Sequence, residues 1–335
     1  AYGGAPIYFT NPLPTVFQKQ IDFNDSNTLS SNLPFKRALG SFGYFGGGRL
    51  SAGPRVSTID RIDYTNDLVT ASIRGPLSGV TYFLAATSNS NFGYFGSGRN
   101  DSTELSTLNR VDYSNDSTTV STRQGLITRI RLSATGNNNF GYFGGGTNAT
   151  IERVDYSNDL TQASARTLVK AGTRRESTAT GNNSFGYFGG GDNLPATPAV
   201  FSSVERINYS NDLSSTLFRG PLSLARRSLT STGNSNFGYF GGGYAPGTVA
   251  TVDRIDYSND TALALVRGSL TVQRLALAAT GNSNFGYFGA GSTPVGVSAS
   301  TDRLNYSNDT TSTISRGPLS AGRRYLAATT NARSS

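Results

Sequence analysis

The chain of 335 residues contains no cysteine, histidine, methionine or tryptophan. Without cysteine there is no disulfide framework and no thiolate metal site, and nothing to distinguish an oxidising compartment from a reducing one. Without histidine the commonest general base and the commonest transition-metal ligand are missing. With no methionine to serve as initiator, the chain is expected to be processed or an excerpt of a longer product. Lysine is almost absent: Lys19, Lys36 and Lys170 are the whole set, so the net charge of +8 is carried by arginine. No apolar run approaches the roughly 18 residues of a membrane span, so no membrane insertion is expected.

What the chain has in abundance is glycine, 40 residues, beside 36% hydrophobic and 11% aromatic content. Low apolar content with much Gly, Ser, Thr and Asn suits disorder, but here the aromatics recur at fixed places. Phe-Gly-Tyr-Phe-Gly-Gly-Gly at 42–48 returns at 92, 140, 185, 237 and 285, with Ser97 and Ala290 the only replacements within it. Ala1–Ala5 looks like the tail of a seventh copy. The starts are 50, 48, 45, 52 and 48 residues apart, the length of one four-stranded propeller blade.

Three further segments share the period. Arg61–Asp67 (Arg-Ile-Asp-Tyr-Thr-Asn-Asp) recurs at Arg110, Arg153, Arg206, Arg254 and Arg303, with a worn form at Gln20–Asp25. Arg74-Gly75-Pro76-Leu77-Ser78 returns at Arg219 and Arg316, and Leu84-Ala85-Ala86-Thr87 at Leu277 and Leu326. Small residues suit Leu-Ala-Ala-Thr to a crowded first strand. The turn Thr-Gly-Asn-x-Asn is a hairpin in which Gly and Asn would supply positive φ. Phe-Gly-Tyr-Phe-Gly is a second strand with aromatics on both faces, so it is expected to be buried between neighbouring sheets, its inner glycine allowing a close approach. Arg-Ile-Asp-Tyr is the third strand, and Gly-Pro ends the fourth. The Arg61-x-Asp63 pattern reads as inter-blade ion pairing, although Asn208 and Asn305 stand at that aspartate position in two units.

The chain ends on a first strand and its turn, Tyr325–Asn331, with no second strand after it. The expected fold is all-β: a seven-bladed β-propeller of four-stranded antiparallel blades over residues 1–331. Its ring would be closed by the C-terminal first strand pairing with the N-terminal second strand, Ala1–Ala5, leaving no edge strands. Residues 332–335 are expected to be a frayed tail.

The glycine doublet Gly46-Gly47, then Asp63-Tyr64, then Pro76-Leu77 resemble the kelch repeat along the whole chain, without the fourth-strand tryptophan. Kelch-fold oxidases use Tyr, His and Cys around copper, and two of these residue types are absent here. The wording Arg-Ile-Asp-Tyr-Ser-Asn-Asp, Arg-Gly-Pro-Leu-Ser and Ala-Thr-Gly-Asn-Ser-Asn-Phe-Gly-Tyr-Phe-Gly-Gly-Gly also looks like repeat proteins of marine tailed phages, especially cyanophages. That second resemblance implies a non-enzymatic virion structural protein of tail, fibre or capsid, with other virion proteins as partners and a virion or extracellular location.

Function is expected in the connections between second and third strands, which vary from 6 residues at 147–152 to 14 at 192–205, with the longest in the N-terminal unit at roughly 5–19, while the turns at the opposite face barely change. They carry Tyr8, Phe9, Arg49, Arg55, Arg99, Asp101, Glu104, Asp192, Phe201 and Tyr244, contact groups suited to a partner, with unconstrained drift as the bland reading. The charge of +8 suits an acidic host-surface polysaccharide; the arginines are dispersed with the repeat, which argues against nucleic acid. Asp-Tyr-Ser-Asn-Asp offers oxygen ligands, but a tight turn needs Asp and Asn without calcium, so no metal or cofactor is assigned. The glycine runs are not phosphate loops, since no Gly-Lys-Ser/Thr follows. Two alternatives stand beside a virion role: a secreted or periplasmic carbohydrate- or protein-binding propeller of cellular origin, and an enzyme with a carboxylate pair at the channel mouth. No catalytic residue is assigned, because the recurrent acids sit at every blade.

Overall fold

The computed structural model describes residues 42–51, 53–193 and 199–332. The chain divides after Gly40 into two units, and all of the described residues lie in the second. They form a β-propeller of six four-stranded antiparallel blades, consistent with a kelch-type propeller. Five blades are continuous in sequence; the first, second, third and fourth strands of one are Ala85–Ser88, Phe92–Gly96, Leu108–Asp112 and Ser121–Arg123. The remaining blade is assembled from both ends of the ring: Ala327–Thr330 pairs with Phe42–Gly46, which pairs with Ile59–Asp63 and then Ser72–Arg74.

The expectation of seven blades is thus corrected to six. The C-terminal first strand does close the ring, but onto Phe42–Gly46, with Gly43 opposite Thr330 and Gly46 opposite Ala327. The partner expected for it, Ala1–Ala5, and the worn segment Gln20–Asp25 lie outside the described residues. Of the expected tail 332–335, residues 333–335 also lie outside the described residues. Phe42 N–H donates to Asn331 Oδ1 at 3.0 Å, Ala332 N–H donates to Thr330 Oγ1, and Ala332 packs on the core.

The second strand carries the packing between blades. Tyr44 and Phe45, on opposite faces, are both fully buried, as are their counterparts in every blade. Each phenylalanine fits against the last strand glycine of the blade before it. A Cβ on Gly46 would lie 2.7 Å from the Phe95 ring, one on Gly241 2.5 Å from Phe288, and one on Gly289 2.7 Å from Phe45. The last contact closes the cycle. Each tyrosine stacks on the tyrosine that directly follows the third strand of the blade after it, Tyr44 on Tyr113 through to Tyr287 on Tyr64, with ring centroids 4.7–4.8 Å apart in all six pairs.

Polar groups secure the same joints. Asp116 receives Tyr44 Oη at 2.9 Å and Arg61 Nη1 at 2.8 Å, and Arg74 Nε lies 3.7 Å away, all three from the preceding blade. Asp67, Asp159, Asp212, Asp260 and Asp309 are held in the same way. Burial first, then the Asp116 carboxylate, pushes the Tyr44 phenol well above its ordinary pKa, so it remains a donor. The arginines therefore pair across blades, but with the last aspartate of the turn rather than with Asp63. Asp63 instead accepts Thr65 N–H, and Asn208 accepts Ser210 N–H in the same way. Only an acceptor is needed there, so Asp and Asn interchange.

The hairpin turns differ from expectation too. Asn137 Oδ1 accepts the N–H groups of Asn139 and Phe140, while Gly136 is not among the positive-φ glycines. Gly136 is required for space: a Cβ would fall 2.3 Å from Phe140 O.

Five blades also bury an arginine completely. Arg226 donates to Asp253 at 2.8 Å, to Phe240 O and to Gly242 O. Arg129–Glu152, Arg174–Glu205, Arg274–Asp302 and Arg323–Asp60 repeat the arrangement. In the remaining blade both partners are changed together, to Thr81 and Asn109. Asn109 Oδ1 still accepts Ser78 N–H, as Asp253 accepts Ser223 N–H, but Thr81 Oγ1 is buried without a hydrogen-bond partner among the described residues. Losing one half of a buried ion pair strands a charge, whereas losing both does not.

Two outcomes follow for stability, each measured by denaturant unfolding. Arg226→Met alone should cost about 3–5 kcal/mol, and combining Arg226→Thr with Asp253→Asn should recover most of that loss. Gly241→Ala should cost about 1–3 kcal/mol by overpacking against Phe288, and Phe288→Leu in the same chain should relieve part of it.

Candidate functional site

The six-fold regularity breaks at one end of the axis. A residue one or two places before each first strand is left-handed although none is glycine: Phe83, Arg131, Glu176, Ser228, Ala276 and Tyr325, with φ between 53° and 61°. Their backbones form a closed ring. Arg131 N–H donates to Phe83 O at 3.0 Å, Glu176 to Arg131, Ser228 to Glu176, Ala276 to Ser228, Tyr325 to Ala276, and Phe83 to Tyr325 O at 2.9 Å. This conformation costs an L-residue roughly 1–2 kcal/mol; six mutually hydrogen-bonded neighbours hold it in place.

The side chains on this rosette are all different, and they interact. The Phe83 and Tyr325 ring centroids are 4.1 Å apart. The Arg131 guanidinium lies 4.6 Å over Phe83, and its Nε is 3.3 Å from Glu176 Oε1. Ser228 Oγ donates to the other Glu176 oxygen. A cavity of about 70 Å³ is lined by these residues and the start of the first strands. Further along the axis lie a space of about 110 Å³ lined by Leu, Ala, Ser and Thr of the first strands and one of about 140 Å³ lined by Ala, Ser, Thr, Gly and Asn near the hairpin turns. There threonine hydroxyls reach the next blade, Thr280 Oγ1 donating to Thr329 O at 2.8 Å.

From the rosette, short rows of residues run outward across each blade. The residue before the rosette position pairs with the residue after the glycine run, and that one pairs with the returning loop. The rows are Arg324–Arg49–Arg55, Tyr82–Arg99–Glu104 and Arg175–Asp192–Val200. Arg227–Tyr244–Thr248 and Leu275–Ser292–Val297 follow. In the sixth blade Thr147 N–H meets Ile130 O. Glycine backbones make this possible: Gly47 and Gly48 have φ of 68° and 106°, which turns the chain sharply out of the second strand.

Most of the residues singled out from the sequence come together on this face. Arg49, Arg55, Arg99, Glu104, Asp192 and Tyr244 lie in the rows, and Asp101 pairs with Arg55. Asp192 is fully buried and takes both Arg175 and Arg227, the latter at 2.8 Å. Phe201 stands apart, 5.2 Å from the buried Arg174 guanidinium. Tyr8 and Phe9 lie outside the described residues. The rosette itself escaped the sequence reading, which looked only at loop length. Its signal was present as a position, just ahead of Leu84, Leu132, Leu229, Leu277 and Leu326, where the units share no residue type.

Among the described residues no three His, Cys, Asp or Glu side chains cluster as a metal site, and no helix is long and apolar enough to cross a membrane. No protein-family model matches the chain, and no curated protein matches it.

The strain in the rosette is measurable. Ala276→Gly should raise stability by roughly 1 kcal/mol, because glycine adopts this backbone freely, read as a shift in the denaturant midpoint.

Proposed function

We propose that this ring is a non-enzymatic attachment module whose rosette face binds a host-surface glycan, carried on the virion of a tailed phage. The observation that supports the binding role is the contrast between joints and face. The tyrosine stack and the aspartate clasp are repeated at all six joints, while the rosette residue and the combination of residues in its row differ from blade to blade. A scaffold position needs the same residue in each unit; a face that recognises one asymmetric ligand does not. Aromatic rings beside arginines and hydroxyls suit a sugar, which presents apolar ring faces and polar edges. The carboxylates on the face with arginine partners, Glu176, Asp192 and Asp101, are occupied by them, which favours recognition over acid–base chemistry. The virion setting rests on the likeness of the repeat wording to marine phage proteins.

Applied to a glycan array, the purified chain should bind acidic polysaccharides, with binding that weakens as salt rises. Failure to bind any glycan at low salt would remove the attachment role. Mass spectrometry of purified virions tests the setting separately, and absence of the chain would remove the virion assignment.

A further inference from the structure

The row Arg324–Arg49–Arg55 sets like charges directly opposite one another. Arg49 N–H donates to Arg324 O at 2.9 Å, and Arg324 N–H returns the bond to Arg49 O at 3.0 Å. Such a doubly bonded antiparallel pair holds its two side chains on the same face. On the other side Arg49 is bridged to Arg55. Like charges so placed repel, and every other row avoids the arrangement.

Counter-charges are few. Asp101 pairs with Arg55 alone. Arg49 and Arg324 form no ion pair among the described residues, and neither does Arg99 in the adjoining row, whose partners are Tyr82 and Glu104 across the backbone ladder. By contrast, Arg131, Arg175 and Arg227 each have a carboxylate. Arg49 and Arg324 are half-buried, so their guanidinium groups are partly desolvated yet reachable. Directly inward stands Tyr325, itself half-buried, with the Arg324 guanidinium 5.5 Å from its ring and Phe83 against it.

We infer that Arg49 and Arg324 together bind the carboxylate of an acidic sugar, whose ring lies over Tyr325 and Phe83. This rests on the glycan-binding reading above and names the class of sugar and the residues that select it. Two guanidinium forks facing one anion suit a planar carboxylate, which accepts paired N–H bonds. The bound anion would also offset the repulsion within the row. Arg99, one blade on beside Tyr82, is placed to meet the acid group of a following sugar unit.

The test is calorimetric titration of the full chain with a galacturonate trisaccharide, with a neutral galactose trisaccharide and a sulfated one as parallel probes. Wild type should prefer the galacturonate over the neutral sugar by tenfold or more. Arg49→Gln and Arg324→Gln should each weaken galacturonate binding by roughly tenfold or more and leave the neutral sugar unaffected. Arg49→Lys should fall between, keeping the charge but losing the fork. In the absence of ligand, both glutamine variants should melt at the same temperature as wild type or higher, since a repulsion has been removed. A lower melting temperature would mean that the row is structural and would overturn the proposal. Unchanged galacturonate affinity in both glutamine variants would also overturn it while leaving glycan attachment standing. A preference for the sulfated probe would overturn the carboxylate assignment. Binding of no sugar at all would end both readings together.

Discussion

The whole ring depends on one joint, the aspartate that each blade lends to its predecessor. Asp116 is gripped by a tyrosine hydroxyl and two arginines that belong to the blade before it. Around this joint the phenylalanine of one blade occupies the space left by a glycine of the other, and two tyrosines stack. Because donors and acceptor lie on different blades, no blade completes this clasp by itself. A buried carboxylate without its arginines, or the reverse, is costly, so an open row of blades leaves stranded charges at both ends. Closure is therefore demanded by electrostatics as much as by the unpaired strand edges.

That joint also explains why blade architecture was legible in the sequence and blade number was not. Strand order could be read from the motifs, because glycine runs, Asx turns and Gly-Pro breaks each have a local cause. The count treated every worn copy as a blade. Yet the segment at Gln20–Asp25 has Gln20 and Phe23 where the six full copies have arginine and tyrosine, so it lacks the clasp arginine that Arg61 represents and the hydroxyl that Tyr64 shares with Thr280 in the neighbouring joint. Six Phe-Gly-Tyr-Phe-Gly strands supply six phenylalanines and six receiving glycines, and the cycle from Gly289 to Phe45 is complete with those alone. The choice between Ala1–Ala5 and Phe42–Gly46 as the closing partner was a question of non-local pairing, which no local motif answers.

The candidate site was half legible for a similar reason. Loop-borne residues such as Arg49, Arg99, Asp192 and Tyr244 stand out because their loops vary in length. Phe83, Arg131, Glu176 and Tyr325 occupy a position of constant length beside a strand of small residues, and only the ring of hydrogen bonds reveals that they meet on the axis. The exchange of Arg and carboxylate for Thr81 and Asn109 in one blade shows how differently buried and exposed positions tolerate change. In the core, two residues had to change in step; on the rosette, each unit has gone its own way.

The ring of six backbone hydrogen bonds has a geometric consequence for any polymer that meets this face. Six neighbours spaced like adjacent strands, about 4.8 Å apart, put opposite backbones only about 10 Å from each other, and the rosette side chains crowd that gap. A polysaccharide cannot thread such a bore. It must lie across the mouth as a cord lies across a capped pipe, meeting two or three of the radial rows at once and leaving sideways. Release then requires no parting of blades, so hold and escape are governed at the surface while the ring beneath stays shut.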